Sequence, residues 1–340
     1  MKPAAASSFL EIDRARAMHL LLSLRLIDSR FGVISVDGMM TVPLVRVPED
    51  IGGNGFLLPA DPSAFEGRYA GRPFELIRFS ADIPPQLKGM LPRKWELLGK
   101  SALIKLDPTL LDYVNEIGRA YAKVLKVENV YMVEGRIGGR YRKPAVRLIY
   151  GTGGETVHHE NGVDYVIDAG NVMFSSANHD ERIRMSTIDC TGEVVVDMFA
   201  GIGHLSMPLA VHSFPAKVIA AEADPTTFSY LLRTVEANGV GQNYSPVNID
   251  NMLLDVEECD RIVMGYLDGT RNWLGKALSM SRRGTIIHFH EEVRRGFAED
   301  WRELVMRKYC AGRVRAVAMR RVKGYSALSD HMALDLEVTS

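Results

Sequence analysis

The sequence predicts an α/β protein: a mostly parallel, doubly wound sheet over residues 169–340, preceded by small α+β domains. Three observations carry this expectation. Strand-like and helical stretches alternate from about residue 193 to residue 290, the pattern of βα units laid side by side. The run Val194-Val195-Val196-Asp197 reads as a fully buried strand and enters a tight turn at Gly201-Ile202-Gly203. Glycines there let a ligand approach the backbone without a Cβ in the way. The tail from Gly312 to Val338 reads as two strands joined by a loop, an antiparallel pair beside the parallel strands.

The elements follow in order. Residues 9–27 carry apolar positions near helical spacing and read as one amphipathic helix, with short strands at about 32–36 and 40–46 after it. A loop rich in Gly, Pro and Asp comes next, and a small accessory α+β domain spans residues 1–85. Residues 86–168 read as a middle α+β domain. There Asp107-Pro108 opens a helix, with Asp as N-cap and Pro in the first turn. Leu111, Val114, Ile117, Tyr121 and Val124 form its core-facing stripe. Strand-like runs lie at about 129–134, 145–150 and 163–167, and a short helix from Asn178 to Ile188 enters the last domain, residues 169–340. Its strands are expected near 193–198, 217–221, 244–249, 261–265 and 284–290.

A chain of 340 residues with 46% hydrophobic and 24% charged residues is of ordinary soluble composition. No run of about 18 apolar residues predicts a membrane span, and Glu11 and Asp13 interrupt any signal-peptide core. Cys190, Cys259 and Cys310 match no metal spacing and read as free thiols of a reducing compartment, so a cytoplasmic protein with no metal is expected. The net charge of −1 does not announce nucleic-acid binding. Its distribution is uneven. Arg136, Arg140, Arg142, Lys143 and Arg147 crowd one segment; Arg307, Lys308, Arg313, Arg315, Arg320, Arg321 and Lys323 crowd another. They read either as solvated faces or as a surface that tracks phosphates.

Acidic residues stand at three strand ends in turn: Asp197, then Glu222 about twenty residues on, then Asp250-Asn251. A carboxylate at the second position accepts hydrogen bonds from both hydroxyls of a ribose, and the third is where an adenine is read. The glycine turn is not that of dinucleotide enzymes, since Met207-Pro208 follow it. S-adenosylmethionine has no pyrophosphate to cradle and needs fewer glycines, so it is the expected ligand. The competing reading is a Rossmann-like domain that has lost its ligand. Just upstream, Glu181 and Arg184 share a helical face beside Arg182. They are either a surface ion pair or a proton acceptor (Glu181) next to a holder of the methionine carboxylate (Arg182).

These segments together resemble one family. "FSSANHDERIRM", "DMFAGIGHLSMPLAV", "AAEADP", "EANGV", "GTIIHFHEEV" and "RVKGYSALSDHMALDLEV" are similar to the archaeal and eukaryotic enzymes that modify guanosine at position 37 of tRNA. The resemblance covers roughly residues 95–340, and the first 85 residues resemble only loosely the small N-terminal domain of one branch. That branch is the tRNA guanine-37 N1-methyltransferase; the other is the wybutosine-synthesizing aminocarboxypropyltransferase. Methyltransferases of the family read Phe-Ser-Pro-Arg where this chain has Phe174-Ser175-Ser176-Ala177 followed by Asn178, and Asn-Leu-Pro where it has Gly265-Tyr266-Leu267. At both places, at Trp273 and at His288-Phe289-His290-Glu291, the chain resembles the aminocarboxypropyl branch, with Tyr266 departing from that branch's usual Leu.

The resemblance implies a class I (Rossmann-like) adenosylmethionine-dependent transferase domain. Asp197, Gly201 and Gly203 would form the donor turn. Ser175 and Arg182 would hold the methionyl end, Glu222 the ribose, and Asp250 and Asn251 the adenine. Asn178, Gly265 and Tyr266 would line the substrate pocket, and Glu181 would take the proton from carbon. It also implies tRNA as partner, met through the anticodon loop of tRNA(Phe), with residues 86–168 in contact, and a monomer is expected. His288 and His290 are either catalytic or strand-end residues that hydrogen-bond locally. Attack at the donor's methyl would give methylation and adenosylhomocysteine. Attack at the γ-carbon of the methionyl arm moves the 3-amino-3-carboxypropyl group and releases methylthioadenosine, a choice set by placement of the arm. Gly265 would leave room for the third ring of a wyosine precursor attacked from its carbon 7. The alternatives are a guanine-37 N1-methyltransferase and a silent RNA-binding protein on the same fold.

Overall fold

The structure, a computed structural model, describes the strands at 5–10, 34–36, 39–44 and 56–58, then residues 73–135 and 138–340. The chain divides into two compact units, Met1–Ala81 and Asp82–Ser340.

The first unit contains β1 (Ala5–Leu10), β2 (Ile34–Val36), β3 (Met39–Leu44) and β4 (Phe56–Leu58), which form one antiparallel sheet in the order β2-β3-β1-β4. Strands β2 and β3 meet the two expected here. The helix expected over 9–27 does not begin at residue 9, because Phe9 and Leu10 pair with Met40 and Met39 in the β1–β3 ladder. The rest of that predicted helix lies outside the described residues. Helix α1 (Pro73–Ser80) buries Phe74 and Ile77.

The second unit opens with β5 (Trp95–Leu98), β6 (Ser101–Ile104), α2 (Val114–Leu125), β7 (Asn129–Val133) and β8 (Val146–Tyr150). The four strands pair in sequence order, and α2 carries the crossover between the parallel strands β6 and β7. Asp107 caps the 3-10 turn that leads into α2, its side chain accepting from the Thr109 N–H at 3.0 Å. Pro108 follows and begins that turn, Pro108–Tyr113. In that turn Leu110 is buried and Leu111 exposed, so the core stripe runs through 110 instead of 111. Next comes a hairpin, β9 (Thr156–Glu160) with β10 (Val163–Ile167). Its turn is Asn161-Gly162, both with positive φ (50° and 74°), as a two-residue hairpin turn requires.

Helix α3 (His179–Ser186) leads into the large sheet. Its elements are β11 (Val194–Asp197), α4 (Ser206–His212), β12 (Lys217–Ala221), α5 (Pro225–Ala237), β13 (Tyr244–Val247), β14 (Cys259–Leu267), α6 (Leu274–Ser279), β15 (Ser281–Arg294), α7 (Ala298–Leu304), β16 (Val314–Gly324) and β17 (Ser329–Val338). The seven strands lie in the order β13-β12-β11-β14-β15-β17-β16, with β13 to β15 parallel and β17 and β16 antiparallel. The α/β fold with its parallel-rich sheet is as the alternation predicted.

One apolar core packs Leu98 and Tyr131 of the β5–β8 sheet with Tyr165, Met185, Val195, Met207 and Leu231. A second joins Ile262, Met264, Leu278, Ile287, Phe289, Trp301 and Leu334. Side chains of this kind each stabilise the fold by about 1.5–3 kcal/mol when taken out of water. Burial on both sides explains why the inner strands are nearly continuous runs of Val, Ile and Ala. The chain moves outward from β11 through β12 to β13, then returns to lay β14 on the other side of β11. Ligands of such sheets bind beyond the carboxyl ends of the strands where the order reverses.

Candidate active site at the strand-order reversal

A cleft of about 400 Å³ opens at that point. Among its lining residues are Gly201, Glu222, Asp250, Asn251, Gly265, Tyr266 and Trp273. Gly201 has φ +58°, and a Cβ on it would come within 2.7 Å of His204 Cδ2, so backbone forms the floor. Glu222 lies beyond the end of β12 and is anchored twice: Oε2 accepts from the Gly201 N–H at 2.9 Å, and Oε1 from the Asp224 N–H at 2.8 Å. Burial pushes its carboxyl up to about 7, against those two hydrogen bonds. Each oxygen keeps a lone pair, enough to accept from a vicinal diol.

Asn251 is buried, and its amide donates to the Met198 carbonyl at 3.1 Å while its Oδ1 has no partner. A buried acceptor left open beside a cleft fits an exocyclic amine of a bound base. Asp250 accepts from the Met252 N–H at 2.9 Å and pairs with Arg140. Two expected donor residues lie underneath instead of lining the cleft. Asp197 is buried, accepts from the Phe199 N–H at 3.0 Å, and is pushed by burial up to about 6. Gly203 has φ +89°, and a Cβ there would press on Met207 at 3.1 Å. Both shape the turn. Taken together, the diol acceptor, the glycine floor and the open acceptor fit adenosylmethionine.

The stretch Gly265-Tyr266 sits in a β-bulge. The register steps from Met264↔Phe289 to Leu267↔Glu291, so β14 carries one residue more than β15, and Leu267 closes the bulge at φ +81°. Bulges beside active sites re-aim side chains. Here the bulge sets Tyr266 against Phe199, stacked at 5.2 Å between ring centroids, with Trp273 edge-on to both. Gly265 lines the cleft and also a second cavity of about 670 Å³, so it stands where the two meet. Ser175, Asn178, Lys323 and His331 line the second cavity, and Arg142 lines both. The Asn178 Oδ1 has no partner. Lys323 donates to Ser175 Oγ at 2.8 Å. Burial, with Arg182 and Arg142 nearby, lowers its ammonium to about 8.

Two expectations are corrected by the partners found. Arg182 is not open to a ligand carboxylate. Buried under Phe174, it holds Glu160 of β9 by two hydrogen bonds, one of 2.7 Å, and donates to the Ser175 carbonyl at 3.0 Å. Burial raises the Glu160 carboxyl, but hydrogen bonds from Arg182, His158 and His179 outweigh it and hold it well below the usual range. Arg182→Ala would strand that carboxylate. It is expected to cost about 3–5 kcal/mol, read as a lower urea midpoint at unchanged m; a change under about 1 kcal/mol contradicts the assignment. Glu181 lines neither cavity. Arg184 donates to it at 2.8 Å and Arg320 at 2.9 Å. Burial raises its carboxyl, yet Arg320, His290 and Arg184 bring it down to about 2. So held, it is a poor proton acceptor.

His288 hydrogen-bonds locally, its Nδ1 2.6 Å from Asp335 and its Nε2 2.8 Å from Arg261. His290 contacts His331. The basic segments are largely paired. Lys143 meets Asp224 at 2.6 Å, Arg147 meets Glu134 at 2.9 Å, and Arg321 meets Asp330 at 3.0 Å. Arg136 lies outside the described residues. Sequence reasoning missed Arg142, Lys323 and His331 as cavity residues; the two basic segments were the signal for the first two. No described helix is long and apolar enough to cross a membrane.

The TRM5/TYW2 methyltransferase domain matches residues 156–317, and the TYW2 N-terminal domain matches residues 77–154. The chain is 45% identical over 215 residues to a tRNA(Phe) (4-demethylwyosine(37)-C(7)) aminocarboxypropyltransferase of Pyrococcus horikoshii, covering 63% of this chain and 77% of that one. The crystal structure of P. horikoshii TYW2 in complex with MeSAdo is similar at a TM-score of 0.71 and 36% identity, over 78% of this chain and 99% of that one. The structure of Trm5b from Pyrococcus abyssi is similar at a TM-score of 0.68 and 26% identity, over 99% of this chain and 100% of that one.

Proposed function

The chain belongs to the TRM5/TYW2 family, and on that premise we propose that it is a tRNA aminocarboxypropyltransferase. It moves the 3-amino-3-carboxypropyl group of S-adenosylmethionine to carbon 7 of the tricyclic wyosine precursor at position 37 of tRNA(Phe) and releases methylthioadenosine. The observation that carries this reading is the bare end of β14. Gly265 lines both the donor cleft and a second cavity larger than the cleft itself, and puts no side chain of its own between them. A methyltransferase of guanine nitrogen 1 must stabilise charge as that nitrogen loses its proton, which calls for a polar side chain at this place. The precursor has already lost the proton to ring closure.

The donor supplies an electrophilic carbon next to a sulfonium. The protein does the rest by binding and orientation. Glu222 would accept from the ribose hydroxyls and the Asn251 Oδ1 from the adenine amine. Lys323 beside Ser175 is a cation available for the methionine carboxylate, whereas Arg182 is engaged with Glu160. Asn178, Gly265 and Tyr266 would border the acceptor base. The same reading makes the protein a cytoplasmic monomer that meets the anticodon loop, with part of the grip from residues 86–168.

One observation favours a second reading, guanine-37 N1 methylation: the Trm5b structure covers the N-terminal region as well as the rest. Acceptor choice separates the two. Precursor-bearing tRNA(Phe) is expected to be consumed and an unmodified transcript to be inert; turnover on the unmodified transcript would overturn the first reading.

A further inference from the structure

Arg142, Lys323, Glu96 and Glu292 are the lysine, arginine and carboxylate side chains that line the second cavity. Arg142 and Glu292 are engaged elsewhere. Arg142 donates to the Tyr266 carbonyl and to the Tyr325 hydroxyl, both at 3.3 Å, and Glu292 accepts from Ser329 Oγ. Glu96 and Lys323 meet one loop from two sides. Glu96 Oε1, on β5, accepts from the Ser176 N–H at 2.6 Å, and Lys323 Nζ, on β16, donates to Ser175 Oγ at 2.8 Å. The charge of Glu96 is felt at Lys323, yet among the described residues no ion pair joins them. Their partners in the loop, a backbone N–H and a hydroxyl, are neutral.

A charge drawn partly out of water calls for a partner of opposite sign. One anion and one cation beside consecutive residues match a ligand that carries an ammonium and a carboxylate on one carbon. That is the free end of an α-amino acid, and the methionyl arm of the donor ends in it. A phosphate of the tRNA backbone would satisfy Lys323 and be repelled by Glu96. The cavity that holds the two charges adjoins the donor cleft at Gly265, so the arm has a short path to them.

We propose that Glu96 is a specificity-determining residue for the transferred group: it accepts from the α-ammonium of the methionyl arm while Lys323 donates to the α-carboxylate. The proposal rests on the reading above, in which that arm is what moves. Glu96 Oε1 keeps its bond to Ser176, and the remaining lone pairs of the carboxylate take the ammonium. Ribose and adenine are then fixed in the cleft and both charges of the arm in the second cavity. The arm runs between two anchors, which holds its γ-carbon where the two spaces adjoin and toward the acceptor base. The donor's methyl group has no such anchor. Methylthioadenosine carries neither charge and keeps neither contact, whereas the new side chain on the base carries both. The β5–β8 sheet, expected from the sequence to contact tRNA, thereby takes part in choosing which carbon is transferred.

Calorimetry of the full chain tests this with adenosylmethionine, decarboxylated adenosylmethionine, deamino-adenosylmethionine and methylthioadenosine as probes. Glu96→Gln keeps an oxygen for the Ser176 N–H and loses the charge. It is expected to weaken adenosylmethionine and its decarboxylated form about tenfold to a hundredfold, and to leave the deamino form and methylthioadenosine at wild-type affinity. Lys323→Met is expected to weaken adenosylmethionine and its deamino form by a similar factor, and to leave the decarboxylated form and methylthioadenosine unchanged. A purely structural role would move all of the probes together. Wild-type affinity of Glu96→Gln for adenosylmethionine, or an equal loss for the deamino form or for methylthioadenosine, overturns the proposal. A wild-type protein that puts the donor's methyl group on tRNA counts against the function itself, and the pattern of affinities still judges Glu96.

Discussion

Glu222→Ala is expected to weaken adenosylmethionine binding on the order of a hundredfold, since a carboxylate hydrogen bond to each of two hydroxyls contributes about 1.5–3 kcal/mol. The loss falls on the donor alone, and tRNA affinity should not move. The variant also removes the acceptor for two backbone N–H groups, Gly201 and Asp224, so Glu222→Gln is the sharper probe. It keeps one acceptor oxygen and loses the charge. Because burial sets the Glu222 carboxyl near 7 in the free protein, donor affinity acquires a pH dependence. The diol binds the ionised form, so binding releases a proton below that value. Affinity should therefore rise as pH rises through about 7 and level off above it. In Glu222→Gln this rise should disappear. Asp197, near 6, lies under the turn without lining the cleft and contributes only a weaker, lower slope. Calorimetry across this range reads both effects, and an undiminished slope in Glu222→Gln would remove Glu222 from the ribose role.

Gly265→Asn is expected to reduce methylthioadenosine formation on precursor-bearing tRNA by a hundredfold or more, as a misplacement of about 1 Å at reacting atoms can do. The new side chain would stand where the two cavities meet. Its Cβ would come 3.0 Å from Leu205 Cδ1, the mobile end of a side chain, and Gly265 has no positive φ, so the fold should accept the change. The variant should not gain methylation of unmodified guanosine tRNA, because the aromatic group of Phe199, Tyr266 and Trp273 and the path from Lys323 to Ser175 stay as they are. A variant that yields adenosylhomocysteine on that tRNA would mean that one polar side chain separates the two reactions.

Much of the large sheet was legible in the sequence because its signals are local. Val195-Val196 pairs with neighbours on both sides and is fully buried, so it must be apolar. Gly201 and Glu222 stand at consecutive strand ends, and strand-end position alone brings them to one cleft. Strand β9 was missed, although Asn161-Gly162 is a strong hairpin signal, because "TVHHE" alternates too weakly to read as a strand. The partners of Arg182 and Glu181 were not legible at all. Glu160 reaches Arg182 from the hairpin, and Arg320 reaches Glu181 from β16. Such contacts depend on how the sheets pack, which no spacing along the chain records. His331 was hidden for the same reason: only the β15–β17 pairing brings it beside His290.

The central claim is that the protein transfers the carbon arm of the donor and not its methyl group. It is tested most directly with two samples of adenosylmethionine, one labelled in the methyl group and one in the carboxyl group, each incubated with precursor-bearing tRNA(Phe). Carboxyl label is expected to enter the tRNA while methyl label stays with the nucleoside product. Methyl label in the tRNA, with carboxyl label left in solution, would contradict the account.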